Sequence, residues 1–212
     1  LAKATQSYAL SATSCSLRFF CATVPFSFNF YFLWIFVKMR VLHIDTGFGW
    51  RGGQRQTSLL AKGLVQKNVE VFVAAPPKSE LLKRLDGKVK IFPLKMFGEF
   101  DLKAVVLLTL YCRKQGIDII DCQTAHAHSL GLMVKLLLPS LKLVVHRRVD
   151  YQPKKNLFSR FKYQNSFVDR YVAISRFIKC TLAASGLCLT KIEVIKSAVE
   201  SRVFTQEDRL KY

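Results

Sequence analysis

A chain of 212 residues, half of them hydrophobic and 22% charged, has ample material for a buried core and falls outside the disordered class. Its 33 basic and 14 acidic residues give a net charge of +19; residues 39–212 hold 30 of the basic residues and all 14 acidic ones. A basic surface suits nucleic acid, anionic lipid or phosphorylated small molecules, so charge alone does not choose among them.

Residues 1–38 stand apart. Phe19–Val37 carries no charge and is flanked by Arg18 and Lys38, a length that fits a membrane span. It nevertheless contains Pro25, Ser27 and Asn29 and lacks a signal-peptide cleavage pattern. The chain starts at Leu1, whereas Met39 directly precedes a strand pattern. Residues 1–38 therefore read as upstream sequence read through in translation, with a membrane anchor or an ordered part of the core as the alternatives.

From Met39 onward strands and helices alternate. A β-branched run, Arg40–Asp45, stops in a glycine-rich loop, Thr46–Gly53, and a helix-period segment follows at Gln54–Lys67. Strand, glycine loop, helix is how an α/β fold builds a phosphate site, because the helix start offers unpaired N–H groups. Gly47, Gly49 and Gly52 match G-x-G-x-x-G, a weak signal in isolation, since any strand-to-helix turn favours glycine. The second strand, Val69–Ala74, runs into Ala75, Pro76 and Pro77 with no acid at its tip, which opposes a ribose-binding NAD site. Lys78 keeps an NADP reading open.

Further strands are expected at Val89–Leu94, Ile117–Cys122, Leu141–Arg147, Arg170–Ser175 and Lys191–Lys196. Helices are expected at Ser79–Leu85, Asp101–Lys114, Ala127–Leu138, Leu157–Asn165 and Arg176–Ser185. Most strands are short apolar runs, as in a parallel sheet covered on both faces. Gly116 and Gly186 sit at C-cap positions and Ser175 at an N-cap position. The expected fold is α/β, one Rossmann-like parallel sheet with helices on both faces. The six cysteines form no C-x-x-C pair or zinc spacing, and read as reduced thiols of a cytosolic protein, with Cys112 and Cys122 in the core.

Ligands of open parallel sheets bind beyond the carboxyl ends of the strands. Those ends gather Asp45, the run Cys122–His128 (CQTAHAH), then His146, Arg147, Arg148 and Asp150, and finally Ser175 and Arg176. Three of the four histidines, His126, His128 and His146, fall there, and His43 lies within the first strand. His126 and His128 read equally well as helix-start residues, and no third spacing supports a metal. Arg147 and Arg148 belong to a basic cluster with Lys154, Lys155, Arg160 and Lys162; an arginine fork there suits phosphate or carboxylate.

In order, GFGWRGGQRQ, DIIDCQTAHAHSLGLM, VVHRRVDY, SRFKYQNSFVDRYVAISRFIKCTLAASGL and KIEVIKSAVESRVF resemble the N-terminal half of retaining glycosyltransferases of the GT-B fold, family 4. The likeness covers residues 39–204. It implies that Gly52 and Gly53, with Arg51 and Gln54 beside them, face the diphosphate of a nucleotide-sugar donor. It also implies that His146 sits near the reacting sugar as a catalytic residue. His126, His128, Arg147, Arg148 and Asp150 are then candidates for the acceptor or sugar. The donor is a substrate, so no cofactor and no metal are expected.

Ser197-Ala198 stands where the family's hinge has Asn-Gly or Ser-Gly. The resemblance divides the chain into residues 1–38, an acceptor-side domain at 39–200 and the start of a hinge at 201–212. The C-terminal donor domain is then missing, and the chain reads as half an enzyme. Implied partners are a nucleotide-sugar donor, a glycan or glycolipid acceptor of the cell envelope and, peripherally, the anionic inner face of the cytoplasmic membrane, but not nucleic acid. The competing readings are an NADP-type oxidoreductase, opposed by the missing acid after the second strand, and a basic membrane or nucleic-acid module without catalysis.

Overall fold

The computed structural model describes residues 38–85, 87–149, 159 and 162–198. The expectations for residues 1–37 and 201–212 lie outside these residues, as do Asp150, Lys154, Lys155 and Arg160 and part of the helix expected at residues 157–165.

Met39 leads straight into β1 (Arg40–Ile44). There follow α1 (Gly52–Gln66), β2 (Glu70–Ala75), α2 (Glu80–Lys83), β3 (Lys90–Pro93), α3 (Leu102–Gln115), β4 (Ile119–Cys122), α4 (Ala125–Leu137), β5 (Lys142–Arg147), β6 (Arg170–Ala173), α5 (Arg176–Ala184) and β7 (Ile192–Val194). All seven expected strands form, within two residues at their ends. They build one seven-stranded sheet in the order β3-β2-β1-β4-β5-β6-β7, and every neighbouring pair is parallel. The chain moves outward from β1 to β3, then returns to the other side of β1 at β4. That reversal opens a crevice beyond the carboxyl ends of β1 and β4.

Both faces are covered, which is why the strands read as apolar runs rather than alternating ones. Leu42, Ile44, Phe72, Ala74, Ile120, Leu143 and Val145 share a core with Leu108 and Cys112 of α3 and Leu130 and Val134 of α4. On the other face Val41, Val71 and Val73 pack with Ala61 and Leu64 of α1 and Leu81 of α2. At Gly131 of α4 a β-carbon would overlap Cys122 Sγ and crowd Leu143, so glycine lets this helix lie close on β4 and β5.

Two helices begin earlier than the sequence periodicity suggests. α1 starts at Gly52 rather than Gln54, which places both glycines in its first turn. α4 starts at Ala125 because the Thr124 hydroxyl caps the Ala127 N–H at 3.1 Å. The expected terminators hold. Gly116 ends α3 in the left-handed region (φ 59°), and Gly186 follows α5 with φ 88°. Cys112 and Cys122 are buried thiols, Cys180 and Cys188 exposed ones, all four unbridged. Burial pushes the Cys112 pKa up to about 12 and raises that of Cys122 too, so both behave as inert apolar groups. Among the described residues no helix is long and apolar enough to cross a membrane.

Candidate functional site at the β1–β4 switch point

The loop after β1 is tied by one carboxylate. Asp45 Oδ1 accepts from the Gly47 N–H at 2.7 Å and from Gln54 Nε2 at 3.0 Å. A β-carbon at Gly47 would overlap that Gln54 amide, so a side chain here would have to displace it. Gln54 in turn accepts from the Arg51 N–H at 3.3 Å. The Gln54 side chain is therefore a knot within the loop, and what it leaves for a ligand is its backbone N–H.

The start of α1 differs from those of the helices that follow. Ser79, Asp101, Thr124 and Ser175 each cap their helix through a side-chain oxygen. The N-cap of α1 is Arg51, whose guanidinium has no acceptor, and no acid lies in the first turn. Gly52 is exposed, and a β-carbon there would meet nothing within 4 Å. Gly52 thus opens α1 beside free space, with the positive end of the helix dipole behind it.

Below this helix start, the α1 face of the sheet carries polar groups in an otherwise apolar layer. His43 on β1 is in register with Asp121 on β4. His43 Nδ1 lies 2.8 Å from Asp121 Oδ2, and His146 Nε2 on β5 lies 3.0 Å from Asp121 Oδ1. Gln123 Nε2 also donates to Asp121 Oδ2, at 2.7 Å. Burial alone would raise the Asp121 pKa, but His146 first and then His43 hold it well below the usual carboxylate range. Asp121 is therefore ionised in the folded protein.

Arg148 completes the network. Its guanidinium donates to Gly53 O at 2.9 Å and to Gln123 Oε1, which also accepts from the Thr57 hydroxyl at 3.2 Å. Burial lowers the Arg148 pKa, opposed by Asp121 and Asp45. One fork thereby anchors the first turn of α1 to the tip of β4. His146 and Arg148 line a shallow cleft, open to solvent, whose other walls include Leu59, Leu60, Val172, Ile174 and the segment Ile195–Ala198. Gln56 of α1 closes that wall. Its Nε2 donates to Ala198 O at 2.6 Å and its Oε1 accepts the Ala198 N–H at 2.8 Å, fixing the residues read from the sequence as the hinge.

The remaining candidates are placed elsewhere. Strand alternation turns Arg147 to the opposite face, where it is buried and donates to the Tyr163 hydroxyl at 3.0 Å. His128 lies on that face too. It is fully buried, edge-on to Tyr163 and Tyr171 with ring centroids 5.1 Å and 6.0 Å away, and neither ring nitrogen has a hydrogen-bond partner among the described residues. Burial first, and then the nearby Lys162 and Arg147 cations, lower its pKa to about 3. Lys162 itself is paired with Glu99 at 3.2 Å and donates to Ala125 O at 2.7 Å. His126 is exposed in the first turn of α4, across the switch point from α1.

The structure thus brings together Gly52, Gly53, Arg51, Gln54, His146 and Arg148, and separates His128 and Arg147 from them. Sequence reasoning missed Asp121, Gln123 and Gln56. The signal for the first two was present: Asp121 and Gln123 are alternate polar residues in a strand end, on the parity of His43 across the register. Among the described residues no group of three or more His, Cys, Asp or Glu side chains could hold a metal ion.

This architecture is shared with known proteins. A glycosyltransferase from Rickettsia africae ESF-5 superposes with a TM-score of 0.69 at 21% identity, over 83% of this chain and 48% of that one. Anabaena Alr3699/HepE, solved in complex with UDP-glucose, gives 0.64 at 16% identity over 76% and 44%. The lipopolysaccharide outer core galactosyltransferase WaaB gives 0.57 at 15% over 78% and 47%. These likenesses show the fold, and the chain spans about half the length of each. No curated protein matches the chain in sequence. The model of Glycosyltransferase Family 4 matches residues 50–202, well over half of the sequence, and the chain belongs to Glycosyltransferase Family 4.

Proposed function

We propose that this chain is the acceptor-side domain of a retaining glycosyltransferase that passes a sugar from a nucleotide-sugar donor to a cell-envelope glycan or glycolipid, at the cytoplasmic face of the membrane. The observation that carries this reading is the uncapped start of α1, set at the switch point and tied by Arg148 to the His146 side of the cleft. In this reading the Gly52, Gly53 and Gln54 N–H groups receive the donor diphosphate, with the exposed Arg51 beside them. Hydrogen bonds to a charged group contribute roughly 1.5–3 kcal/mol each. His146 faces the reacting sugar, and His126 and Arg148 border the acceptor. The site then uses the donor as substrate and needs no cofactor or metal, since N–H groups and cations stabilise the leaving diphosphate. The rest of the donor site belongs to a C-terminal domain.

Amide shifts on titrating UDP, the nucleotide present in the Anabaena neighbour, into the full chain test this reading. The expected result is weak, millimolar binding with the largest shifts at Gly52–Gln54. Shifts centred on Lys78 instead, or tight binding by this half alone, would overturn it.

Peripheral membrane contact is favoured by a separate observation. The outward face of α3 exposes Leu102, Val106 and Leu110 at successive turns, with Lys103, Arg113 and Lys114 among them and no acidic residue. Phe97 (85% exposed) and Phe100 stand in the loop before it. Apolar side chains ringed by cations suit an anionic bilayer. Sedimentation with anionic but not zwitterionic vesicles is the expected outcome, lost in a double variant carrying Val106→Asp and Leu110→Asp.

A further inference from the structure

We propose that Asp121 is a positioning residue that locks His43 and His146 in opposite tautomers, so that His146 offers the cleft a hydrogen-bond acceptor rather than a donor. An ionised carboxylate can only accept, so each ring nitrogen facing it must carry a proton. The nitrogens that face Asp121 differ: Nδ1 for His43, hydrogen-bonded to Oδ2 at 2.8 Å, and Nε2 for His146, at ion-pair distance (3.0 Å) from an Oδ1 that makes no well-aligned hydrogen bond. In the neutral form each imidazole has one N–H, which leaves His43 Nε2 and His146 Nδ1 bare.

Three observations support this assignment. First, His43 Nε2 is buried without a partner, and an orphaned lone pair there is the milder fault, whereas the charged ring would bury an orphaned N–H. Second, the Gln123 amide cannot turn to donate elsewhere. Its oxygen is claimed by Arg148 and Thr57, so its nitrogen must face Asp121. Third, His146 makes no hydrogen bond through Nδ1 among the described residues, and its ring lines the cleft beside Val172 and Ile174. Beside these apolar side chains a bare Nδ1 favours ligands that bring a donor to it, such as a hydroxyl. A carbonyl or ether oxygen in the same place would meet another lone pair. That this hydroxyl belongs to a sugar rests on the function proposed above; the tautomers do not.

The test is the nitrogen spectrum of the full chain with 15N-labelled histidine at pH 8, without ligand, using long-range proton–nitrogen correlations from the ring carbons. The expected pattern is a protonated Nδ1 with bare Nε2 for His43, the less common neutral form, and a protonated Nε2 with bare Nδ1 for His146. Asp121→Asn keeps the shape but offers one acceptor and one donor, so one ring must exchange its tautomer. A wild-type spectrum with His146 protonated on Nδ1, or averaged between forms, overturns the proposal. A folded Asp121→Asn protein with both rings unchanged overturns it as well. Should Asp121→Asn fail to fold, the wild-type pattern alone decides. No ligand is present, so failure here is distinct from failure to bind UDP.

Discussion

His128 makes acid stability measurable at one residue. In the folded chain its pKa is lowered to about 3 from an ordinary 6.5, chiefly by burial. Between those values the unfolded chain binds a proton that the folded chain refuses, so the unfolded state gains as pH falls. The stabilising effect of keeping this ring neutral is complete above pH 6.5 and is lost progressively from there towards pH 3. One pKa unit corresponds to about 1.4 kcal/mol, so the loss is about 2 kcal/mol at pH 5 and approaches roughly 5 kcal/mol at pH 3. Against a total stability of roughly 5–15 kcal/mol, that is enough to move acid unfolding above the carboxylate range.

The perturbation is His128→Leu, with His128→Phe as a second shape. Neither ring nitrogen has a partner, so at pH 8 the leucine variant loses no hydrogen bond, and its stability should lie within about 1 kcal/mol of wild type or above it. Urea midpoints followed by circular dichroism at pH 8, 7, 6 and 5 give the gap between variant and wild type. The gap should grow by about 2 kcal/mol in the variant's favour between pH 8 and pH 5. Packing differences add a constant and leave the slope untouched. A gap that stays flat with pH would refute the reasoning, because it would mean His128 takes up its proton in the folded state.

Gly131→Ala should destabilise the chain by roughly 1–3 kcal/mol, since the added methyl overlaps Cys122 Sγ against a rigid strand; an unchanged urea midpoint would show that α4 can lift off without cost. A chain beginning at Met39 should unfold cooperatively with the stability of the full chain, as β1 starts at Arg40, and a fold that needs residues 1–38 would contradict the assignment of the domain. Joined to a donor-binding C-terminal domain, His146→Ala should lower kcat by roughly 100-fold, about 2.7 kcal/mol, with the fold intact; an effect on acceptor KM alone would make His146 a binding residue.

Much of the fold was legible because its signals are local. Short apolar runs, the glycine terminators at Gly116 and Gly186 and the Ser175 cap each depend on a few neighbouring residues, and all three take their expected places. The helix starts were less legible. Glycine ranks low in helix propensity, so Gly52 and Gly53 read as loop, yet the first turn of a helix tolerates them where later turns would not. The His43–Asp121–His146 bridge was not legible from any one segment, because its members come from three separate strands, His43 and Asp121 lying 78 residues apart, and meet through strand register. The register depends on strand order, which periodicity does not report.

Side-chain parity separates what a run of neighbouring residues can do. His146, Arg147 and Arg148 are consecutive, and as a sequence they look like one basic site. In a strand, successive side chains leave opposite faces. His146 and Arg148 therefore reach the α1 cleft, while Arg147 joins Tyr163 in the layer beneath α4. The same alternation sends Asp121 and Gln123 to the cleft side and Cys122 to the core. Each face then holds its own set of polar partners: Asp121 with two imidazoles and Gln123 with Arg148 on one, Glu99 with Lys162 and Ser129 on the other. A substitution at Arg147 should therefore register as lost stability and one at Arg148 as a displaced start of α1. Two adjacent arginines at one strand end thus belong to two different parts of the molecule, and the cleft retains only the residues of one parity.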